Sequence, residues 1–566
     1  MNWLDYVVLI VTILGIAGYG IWQTRIRTNL HDYLKGSRQT PWFFIGVSVM
    51  ATQASAITFL STPGQGFMGG LSFLQVYFGV PFALLIIAIF FLPMFRRLDV
   101  YTAYEYLEKR FDGKTRSLGA ALFLLQRGLG AGLTIYAPAI VMTTVFGWPL
   151  NATIISAGLI VIIYTVVGGS DAVTVTQKYQ MAIIFAGMLT ATCLLISKLP
   201  SNLELADTIK LAGHFHKMNA VDFSPNLNQR YTFWSGILGG TFLMLSYFGT
   251  DQSQVQRYLA GSSLRESRLG LMFNAVLKIP MQFSILLIGV LMFVFYQFQS
   301  PPMFFDVASR NYLESHQSDA KLAAYKSDFN SAHAQVHKYL NSWLDYRHKG
   351  DRNSANSAFV AAALEEEKAE EIRKVAAREL ALRNPDARAN DADYVFITFI
   401  LQELPHGVIG LLVAAFFAAT LSSKSAELNA LGTSTTIDFY RRLIKKGASD
   451  SECLTATKIF TAIWGAVAIT FALYAHLAEN LIQAVNILGS IFYGVLLGLF
   501  VVAFFIRRVE GTAVFWGALL AQLLVFALYF SLSISYLWYP LIGCAACVLF
   551  SLAIQYSTNK TQSVEG

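Results

Sequence analysis

The chain is dominated by runs of about 20 apolar residues, the length that a helix needs to cross the hydrocarbon core of a bilayer. We count about 13 such runs, the first over residues 4–22 and the last over residues 537–556. Because 55% of the 566 residues are hydrophobic and only 14% are charged, a soluble globular protein is excluded. The pattern predicts an all-α polytopic membrane protein.

Basic residues gather in alternate short loops between the apolar runs, and this asymmetry predicts the orientation. Arg25 and Arg27 follow the first run instead of preceding it, so that run is predicted to be a spanning helix and not a signal peptide. The N-terminus is therefore expected outside the cell and the C-terminus inside. The loops also account for much of the net charge of +7, so we predict no nucleic-acid partner.

One polar segment interrupts the apolar pattern. Residues 299–392 are helix-prone and predict an extracytoplasmic helical hairpin, which divides the chain into 1–298, 299–392 and 393–566. The hairpin has its own apolar stripe, so we expect that the membrane core does not need it for burial. His333 and His337 have the spacing of two metal ligands, but no third ligand accompanies them, and we interpret them as part of a solvated helix face.

Polar residues inside the apolar runs are costly in hydrocarbon and mark candidate sites. The helix that carries Ala419 also carries the adjacent hydroxyls of Ser422 and Ser423, followed by Asn429. Two hydroxyls beside freed carbonyls supply hard oxygen ligands for a cation the size of sodium.

A second polar stretch lies in the middle of the run that starts near residue 42. Gln53, Ser55 and Thr58 are followed by Pro63 and Gly64, which together predict a broken helix. Such a break exposes backbone groups that can bind an ion or a solute near the midplane.

Two cations also lie within apolar runs. Asn274 and Gln282 flank Lys278 at four-residue spacing, so this polar stripe must face protein or water. Arg127 shares a helix face with small residues. Each cation could be a structural pair or a snorkelling side chain. Since we find no acid of comparable depth to neutralise them, we expect a bound anion to do so.

Several motifs resemble the sodium:solute symporter family over almost the whole chain outside the insertion. They are YLKGSRQTPWFFIGVSVMATQASAITF, DVYTAYEYLEKRF, YTVVGGSDAV, SYFGTDQSQVQRYLAG, AAFFAATLSSKSAELNALGTSTTIDFYRR and GVLLGLF. The resemblance implies the LeuT-type five-plus-five inverted repeat with one helix before it and two after it. It also implies a sodium-coupled symporter in the cell membrane that imports a small organic solute by alternating access.

The resemblance further implies a sodium site. Its ligands are the backbone carbonyls of Ala51, Ala54 and Ala419 and the hydroxyls of Ser422 and Ser423. Sodium is the only metal ion expected, and it is co-transported.

A second sodium ion is left open by the resemblance. Gln177 stands where some members carry an aspartate, and Ala426 replaces one hydroxyl, although Ser425 remains.

Two groups of relatives suggest different solute sites. Sugar carriers suggest Lys278 and Tyr247, but Gln75 and Tyr77 stand near the place of their acidic residue. Sialic acid carriers suggest another set. Its members are Ser55, Thr58 and Arg127, with Gln53 beside them.

A guanidinium gives a carboxylate a planar fork. We therefore expect a carboxylate-bearing solute such as sialic acid or another acidic sugar, with a neutral sugar or a monocarboxylate as alternatives. A cation channel or a transporter-like sensor is the alternative from another class. The membrane runs carry no Ser/His/Asp constellation, so we do not expect an enzyme. The oligomeric state stays open.

Overall fold

The computed structural model describes residues 1–24, 41–98, 102–384, 387–474 and 480–565. Within its helices, the side chains of residues 16–24, 98, 167–178, 422 and 559–565 are not described. These ranges form helices joined by loops, the longest of them over residues 215–232, with no extended β-strand among them. The prediction of an all-α fold is confirmed.

Before the insertion, four long helices are interspersed with shorter ones. They are α1 (Trp3–Thr24), α2 (Trp42–Gln53), α3 (Ala56–Gly69), α4 (Val80–Ile86), α5 (Leu92–Leu98), α6 (Glu105–Arg110), α7 (Gly113–Phe146), α8 (Leu150–Ser197), α9 (Leu205–His214), α10 (Gly240–Thr250), α11 (Gln252–Leu259) and α12 (Leu264–Phe298).

The remaining helices form the insertion and the C-terminal part. They are α13 (Val307–Ser315), α14 (Ala320–His348), α15 (Arg352–Arg383), α16 (Ala392–Glu403), α17 (Val408–Ser434), α18 (Asp450–Tyr474), α19 (Leu481–Phe505), α20 (Gly511–Ser531) and α21 (Trp538–Glu565).

The apolar helices are long enough to cross a bilayer. Nine helical segments of the described chain meet the length and hydropathy of a membrane span, and three shorter apolar helices accompany them. A multi-pass membrane protein is therefore confirmed. The count of about 13 spans, the inverted repeat and the orientation of the termini stay predictions.

The predicted broken helix is present, and the break lies at Ala54 and Ser55. Helix α2 ends at Gln53, Ala54 has ψ 68°, Ser55 is extended, and α3 begins at Ala56. Pro63 does not cause the break, since it lies inside α3. The following Gly64 serves packing instead, because a Cβ there would lie 1.8 Å from the carbonyl oxygen of Ala392.

A second helix is broken in the same way. Helix α10 ends at Thr250, Asp251 has φ −79° and ψ 119°, and α11 begins at Gln252. Helix α11 packs against α2, and α10 packs against α19. No Pro or Gly at Asp251 or Gln252 marks this second break in the sequence, and it was not predicted.

The insertion is a hairpin of α14 and α15 that packs on the membrane core. One end of the hairpin has a separate apolar cluster that includes Leu322 and Leu380. At the other end, Val336, Leu340 and Trp343 belong to the main core of the protein. The expectation that the core does not need the hairpin for burial is therefore wrong, because half of the apolar stripe is shared.

Polar contacts also attach the hairpin to its surroundings. Arg373 donates to Asp391 at 2.6 Å, and Arg347 pairs with Asp207 of α9 at 2.5 Å. His333 is buried, with 7% of its surface exposed, so its interpretation as part of a solvated face is also wrong.

Candidate functional site

A polar cavity of about 90 Å³ lies beside both helix breaks. Helices α2, α3, α7, α10, α17 and α19 contribute its walls. Six of the eight predicted solute-binding residues line it, namely Gln53, Ser55, Thr58, Tyr77, Arg127 and Tyr247. The tertiary structure thus brings together residues that lie almost 200 positions apart in the sequence.

The other two predicted residues lie outside the lining. Gln75 is buried, and its amide donates to the carbonyl of Tyr231 at 3.1 Å and accepts from the backbone N–H of Asp222 at 3.0 Å. It therefore holds a loop in place. Lys278 lies behind the cavity wall, with its Nζ 5.0 Å from the ring centre of Tyr77.

The polar stripe around Lys278 faces protein, as the sequence predicted. Asn274 donates to the carbonyl of Gly46 in α2 at 2.8 Å, and Gln282 donates to Thr62 in α3 at 3.2 Å. Lys278 is 1% exposed, and its Nζ has no hydrogen-bond partner in the described part of the chain. Its charge is the feature of this stripe that lacks compensation.

The predicted sodium ligands lie where α17 packs against α2 and α3. Ala51, Ala54, Ala419 and Ser423 are all buried. Among the last carbonyls of α2, that of Met50 accepts from the N–H of Ala54 at 2.6 Å and that of Gln53 from the hydroxyl of Thr58 at 3.4 Å. The carbonyl of Ala51 lies beyond the last intrahelical hydrogen bond, because the helix ends at Gln53.

The hydroxyl pair is only half described. Ser423 donates to the carbonyl of Thr420 at 3.3 Å. Ser422 lies in α17, but its side chain is outside the described residues.

The region of the open second sodium site is also only partly described. Gln177 lies in α8, and its side chain is outside the described residues. Ala426 is buried in α17. The hydroxyl of Ser425 and the amide of Asn429 are buried without hydrogen-bond partners among the described residues.

Arg127 is neutralised by acids, which corrects the expectation that no acid of comparable depth exists. Its Nε donates to Asp251 at 3.0 Å and its Nη1 to Glu427 at 3.4 Å. Its Nη2 donates to Asp251 and, at 3.1 Å, to the hydroxyl of Tyr493. Tyr493 in turn donates to Asp251 at 2.8 Å. A bound anion is therefore not needed to balance Arg127.

Glu427 connects this network to a second buried cation. Lys424 donates to Glu427 at 2.5 Å, and both side chains are almost fully buried. Arg127, Lys424, Asp251 and Glu427 thus form a charge-balanced network that joins α7, the α10–α11 break and α17. Lys424 directly follows Ser423, so the network connects the solute cavity with the helix that carries the predicted sodium ligands.

Sequence reasoning missed Asp251, Lys424, Glu427 and Tyr493. The i,i+3 spacing of Lys424 and Glu427 within an apolar run was a signal that could have identified that pair. Asp251 stands in the motif SYFGTDQSQVQRYLAG, although no local pattern connects it to Arg127.

The N-terminus of α3 opens into the cavity. Ser55 is the N-cap residue, but its side chain makes no capping hydrogen bond. The amide groups of Ala56 and Ile57 have no acceptor within the helix, whereas that of Thr58 donates to the carbonyl of Ser55 at 2.9 Å. These amides carry the positive end of the helix dipole. Tyr247 lies nearby and accepts from Gln254 at 2.5 Å, with Arg127 5.4 Å from its ring centre.

Long apolar helices, two of them broken beside a buried polar cavity, define a multi-pass membrane carrier. Its sequence matches the profile of the sodium:solute symporter family over residues 33–320 and 372–521. The chain belongs to the sodium:solute symporter family. The match omits residues 321–371, which form most of α14 and the first part of α15.

Three relatives illustrate the range of the family. The chain is 32% identical over 295 residues to the human sodium/iodide cotransporter, covering 52% of this chain and 45% of that protein. It is 27% identical over 499 residues to the Xenopus laevis sodium-coupled monocarboxylate transporter 1, covering 88% and 67%. It is 23% identical over 580 residues to the sodium/sialic acid symporter of Proteus mirabilis (strain HI4320), covering 100% and 99%.

A solved structure has the same fold. It is the substrate-bound outward-open state of a Na⁺-coupled sialic acid symporter, and it matches with a TM-score of 0.74 at 21% identity over 98% of both chains. The alignment with the human sodium/iodide cotransporter spans less than half of that protein, so that relative's solute says little about this chain.

Proposed function

We propose that the protein is a sodium-coupled symporter that imports a small carboxylate-bearing, hydroxylated solute, such as sialic acid or another acidic sugar. The observation that carries the proposal is the N-terminus of α3, which opens into the cavity with Ser55 and Thr58 beside it. Helix N-termini bind anions through free amide groups and the helix dipole. A carboxylate at this position can also accept from the hydroxyl of Ser55. The hydroxyl of Thr58 donates to the carbonyl of Gln53 at 3.4 Å and becomes a second donor when it turns away from that carbonyl.

Arg127 has a narrower role in this proposal than its charge alone suggested. Because Asp251 and Glu427 balance the guanidinium, Arg127 positions a carboxylate through directed hydrogen bonds and adds no net charge. Its contact with Glu427 is long at 3.4 Å, so a solute carboxylate can compete for Nη1.

The hydroxylated part of the solute is inferred from unsatisfied atoms in the lining. Gln53 Oε1, Gln126 Oε1 and Asn486 Nδ2 are buried without hydrogen-bond partners among the residues that the structure describes. Leaving such groups unpaired is costly, and hydroxyl or amide groups of a solute would satisfy them. A plain monocarboxylate lacks these groups, which is why we favour an acidic sugar.

The size of the cavity supports alternating access. A volume of about 90 Å³ is below the roughly 300 Å³ at which small-molecule pockets begin. A sugar acid therefore enters only when the lining helices separate. The breaks at Ser55 and Asp251 are the natural places for such movement, since backbone hydrogen bonding is already interrupted there.

Sodium coupling follows from the position of the first break. The carbonyls of Ala51 and Ala54 are the proposed sodium ligands, and Ser55 is the next residue. Sodium that binds these carbonyls together with the carbonyl of Ala419 and the hydroxyls of Ser422 and Ser423 fixes the backbone that presents Ser55 and Thr58 to the solute. Binding of one ligand thus favours binding of the other.

Uptake into proteoliposomes tests the proposal. A sodium gradient should drive uptake of N-acetylneuraminate and not of its methyl ester, which has the same hydroxyl groups but no charge. Ser55→Ala with Thr58→Val should raise KM about a hundredfold or more, since two hydrogen bonds to a charged group, each contributing about 1.5 kcal/mol or more, are lost. Uptake that is equal without sodium, or equal for acid and ester, would overturn the proposal.

A neutral sugar is the second candidate, and Lys278 is the observation in its favour. The ammonium is buried, lacks a hydrogen-bond partner in the described ranges and lies behind Tyr77, so a shift of the Tyr77 ring would expose it to a sugar hydroxyl. Lys278→Met preserves the length of the side chain. If it abolishes uptake of glucose while Ser55→Ala does not, the neutral-sugar candidate is correct.

A further inference from the structure

A second cavity, which we call the hairpin cavity, lies between the hairpin and the membrane core. Its volume is about 330 Å³, within the range of small-molecule pockets. Helix α15 of the hairpin forms one wall, and Phe67 and Met68 at the end of α3 contribute to another. It shares no lining residue with the solute cavity.

Two polar atoms on one side of the hairpin cavity lack hydrogen-bond partners, and a buried carboxylate lies beside them. Tyr296 and Gln297 are 3% and 2% exposed, and the hydroxyl of Tyr296 and Oε1 of Gln297 have no hydrogen-bond partner in the described ranges. Gln297 donates to Glu366, whose pKa is raised by burial. Among the ion pairs of the described residues, no cation lies within 4 Å of the Glu366 carboxylate, although Lys217 and Arg373 act on it from farther away. These groups favour a ligand that donates hydrogen bonds and carries positive charge.

Lys217 supplies the opposite charge. Its Nζ donates to the carbonyl of Met68 at 2.6 Å and lies 4.4 Å from the ring centre of Phe293. An ammonium group has three donors, so further donors remain for a ligand. Burial lowers the pKa of Lys217 to about 8, which leaves it charged at neutral pH.

The other charges of the lining are compensated within the protein or exposed to solvent. Arg373 donates to Asp391 and to the carbonyl of Met303. Lys374 pairs with Glu370 at 3.7 Å, and Glu367 is exposed. Glu366 and Lys217 remain, and they act on each other electrostatically. Because their charges are opposite, a ligand with one net charge would leave this pair unbalanced.

We propose that the hairpin cavity binds a small zwitterion with an ammonium group and a carboxylate. The ammonium lies against Glu366, Tyr296 and Gln297, and the carboxylate lies against Lys217. Aromatic side chains on the cavity wall cover the aliphatic part of the ligand. Because Lys217 also binds the end of α3, the ligand stabilises the attachment of the hairpin to the broken helix.

Thermal unfolding of the purified full-length protein in detergent tests this site. The probes are glycine, β-alanine and 4-aminobutyrate, which differ in the separation of their two charges. Butylamine and butyrate are the singly charged controls. At least one zwitterion should raise the apparent Tm, because a ligand that binds the folded state stabilises it, and neither control should do so.

Variants assign the shift to the hairpin cavity. Glu366→Gln and Lys217→Met should each abolish it, and Lys217→Arg should retain it as the conservative variant. Glu365→Gln is the matched control, since Glu365 lies on the same helix, pairs with Lys368 and does not line the cavity.

Three results would overturn the proposal. The first is that none of the three zwitterions raises the apparent Tm. The second is that butylamine or butyrate raises it equally. The third is that the increase persists in both Glu366→Gln and Lys217→Met. Each variant is first shown to be monodisperse and to unfold cooperatively without ligand.

Discussion

The buried pair of Lys424 and Glu427 gives a sharp prediction about how charge is accommodated in this membrane core. The two groups are 2.5 Å apart, and Glu427 also contacts Arg127. With Asp251, the network holds two positive and two negative charges. Glu427→Gln changes the balance to +1 and Lys424→Met changes it to −1, whereas the double variant keeps it at zero.

The expected magnitude follows from the burial of the pair. Two unit charges 2.5 Å apart attract by about 7 kcal/mol at an effective dielectric constant of about 20, and desolvation offsets much of this. Breaking a buried pair by removing one partner costs about 3–5 kcal/mol, because the other charge stays buried without compensation. Replacing both partners with neutral side chains of similar size avoids that penalty.

We therefore expect the double variant to be more stable than either single variant. The assay is the apparent Tm of the purified protein, measured as the loss of the monodisperse gel-filtration peak after heating. Lys445 and Glu452 form a matched exposed pair, also 2.5 Å apart, and neutralising them should not change the apparent Tm.

One outcome would refute the reasoning. If the double variant were less stable than both single variants, the two side chains would contribute independently through packing, and charge balance would not govern the network. An equal loss at Lys445 and Glu452 would also show that burial is not the cause.

Three further predictions concern other parts of the chain. Replacing Ser422 and Ser423 with Ala should raise the sodium concentration for half-maximal uptake about tenfold or more while expression is retained, and unchanged sodium dependence would exclude this site. Deleting residues 319–388 should lower the apparent Tm, because Asp391 loses its partner Arg373. Adding Asp391→Asn to the deletion should recover part of the lost stability. A truncated protein as stable as the full chain would show that the shared core is dispensable. Burial lowers the pKa of His333 from 6.5 to about 4, so the unfolded state binds more protons than the folded state between these pH values. Stability therefore falls as the pH falls through this window. His333→Gln should flatten the dependence of Tm on pH, and an unchanged slope would contradict the assignment.

The sequence by itself determined the class of the protein and much of its cavity lining. Apolar runs of membrane-spanning length predicted a multi-pass helical protein, because hydrocarbon leaves helices as the simplest way to satisfy the backbone. The polar stretch around Ser55 predicted a broken helix, and the motifs predicted the family. These features are local in sequence, so they could be read without knowing how the helices pack.

The tertiary structure alone decided which buried charges are compensated. Arg127 and Asp251 are 124 positions apart, and their pairing depends on the tertiary arrangement that brings the side chain of Arg127 on α7 to the break between α10 and α11. No periodicity within one helix reports such a partner, so Arg127 looked as uncompensated as Lys278. The structure separates the two cations: Arg127 belongs to a balanced network, whereas Lys278 lies behind Tyr77 without a hydrogen-bond partner among the described residues. Helix packing sets these distances, and at such short range distance decides whether a buried charge is stabilised or costly.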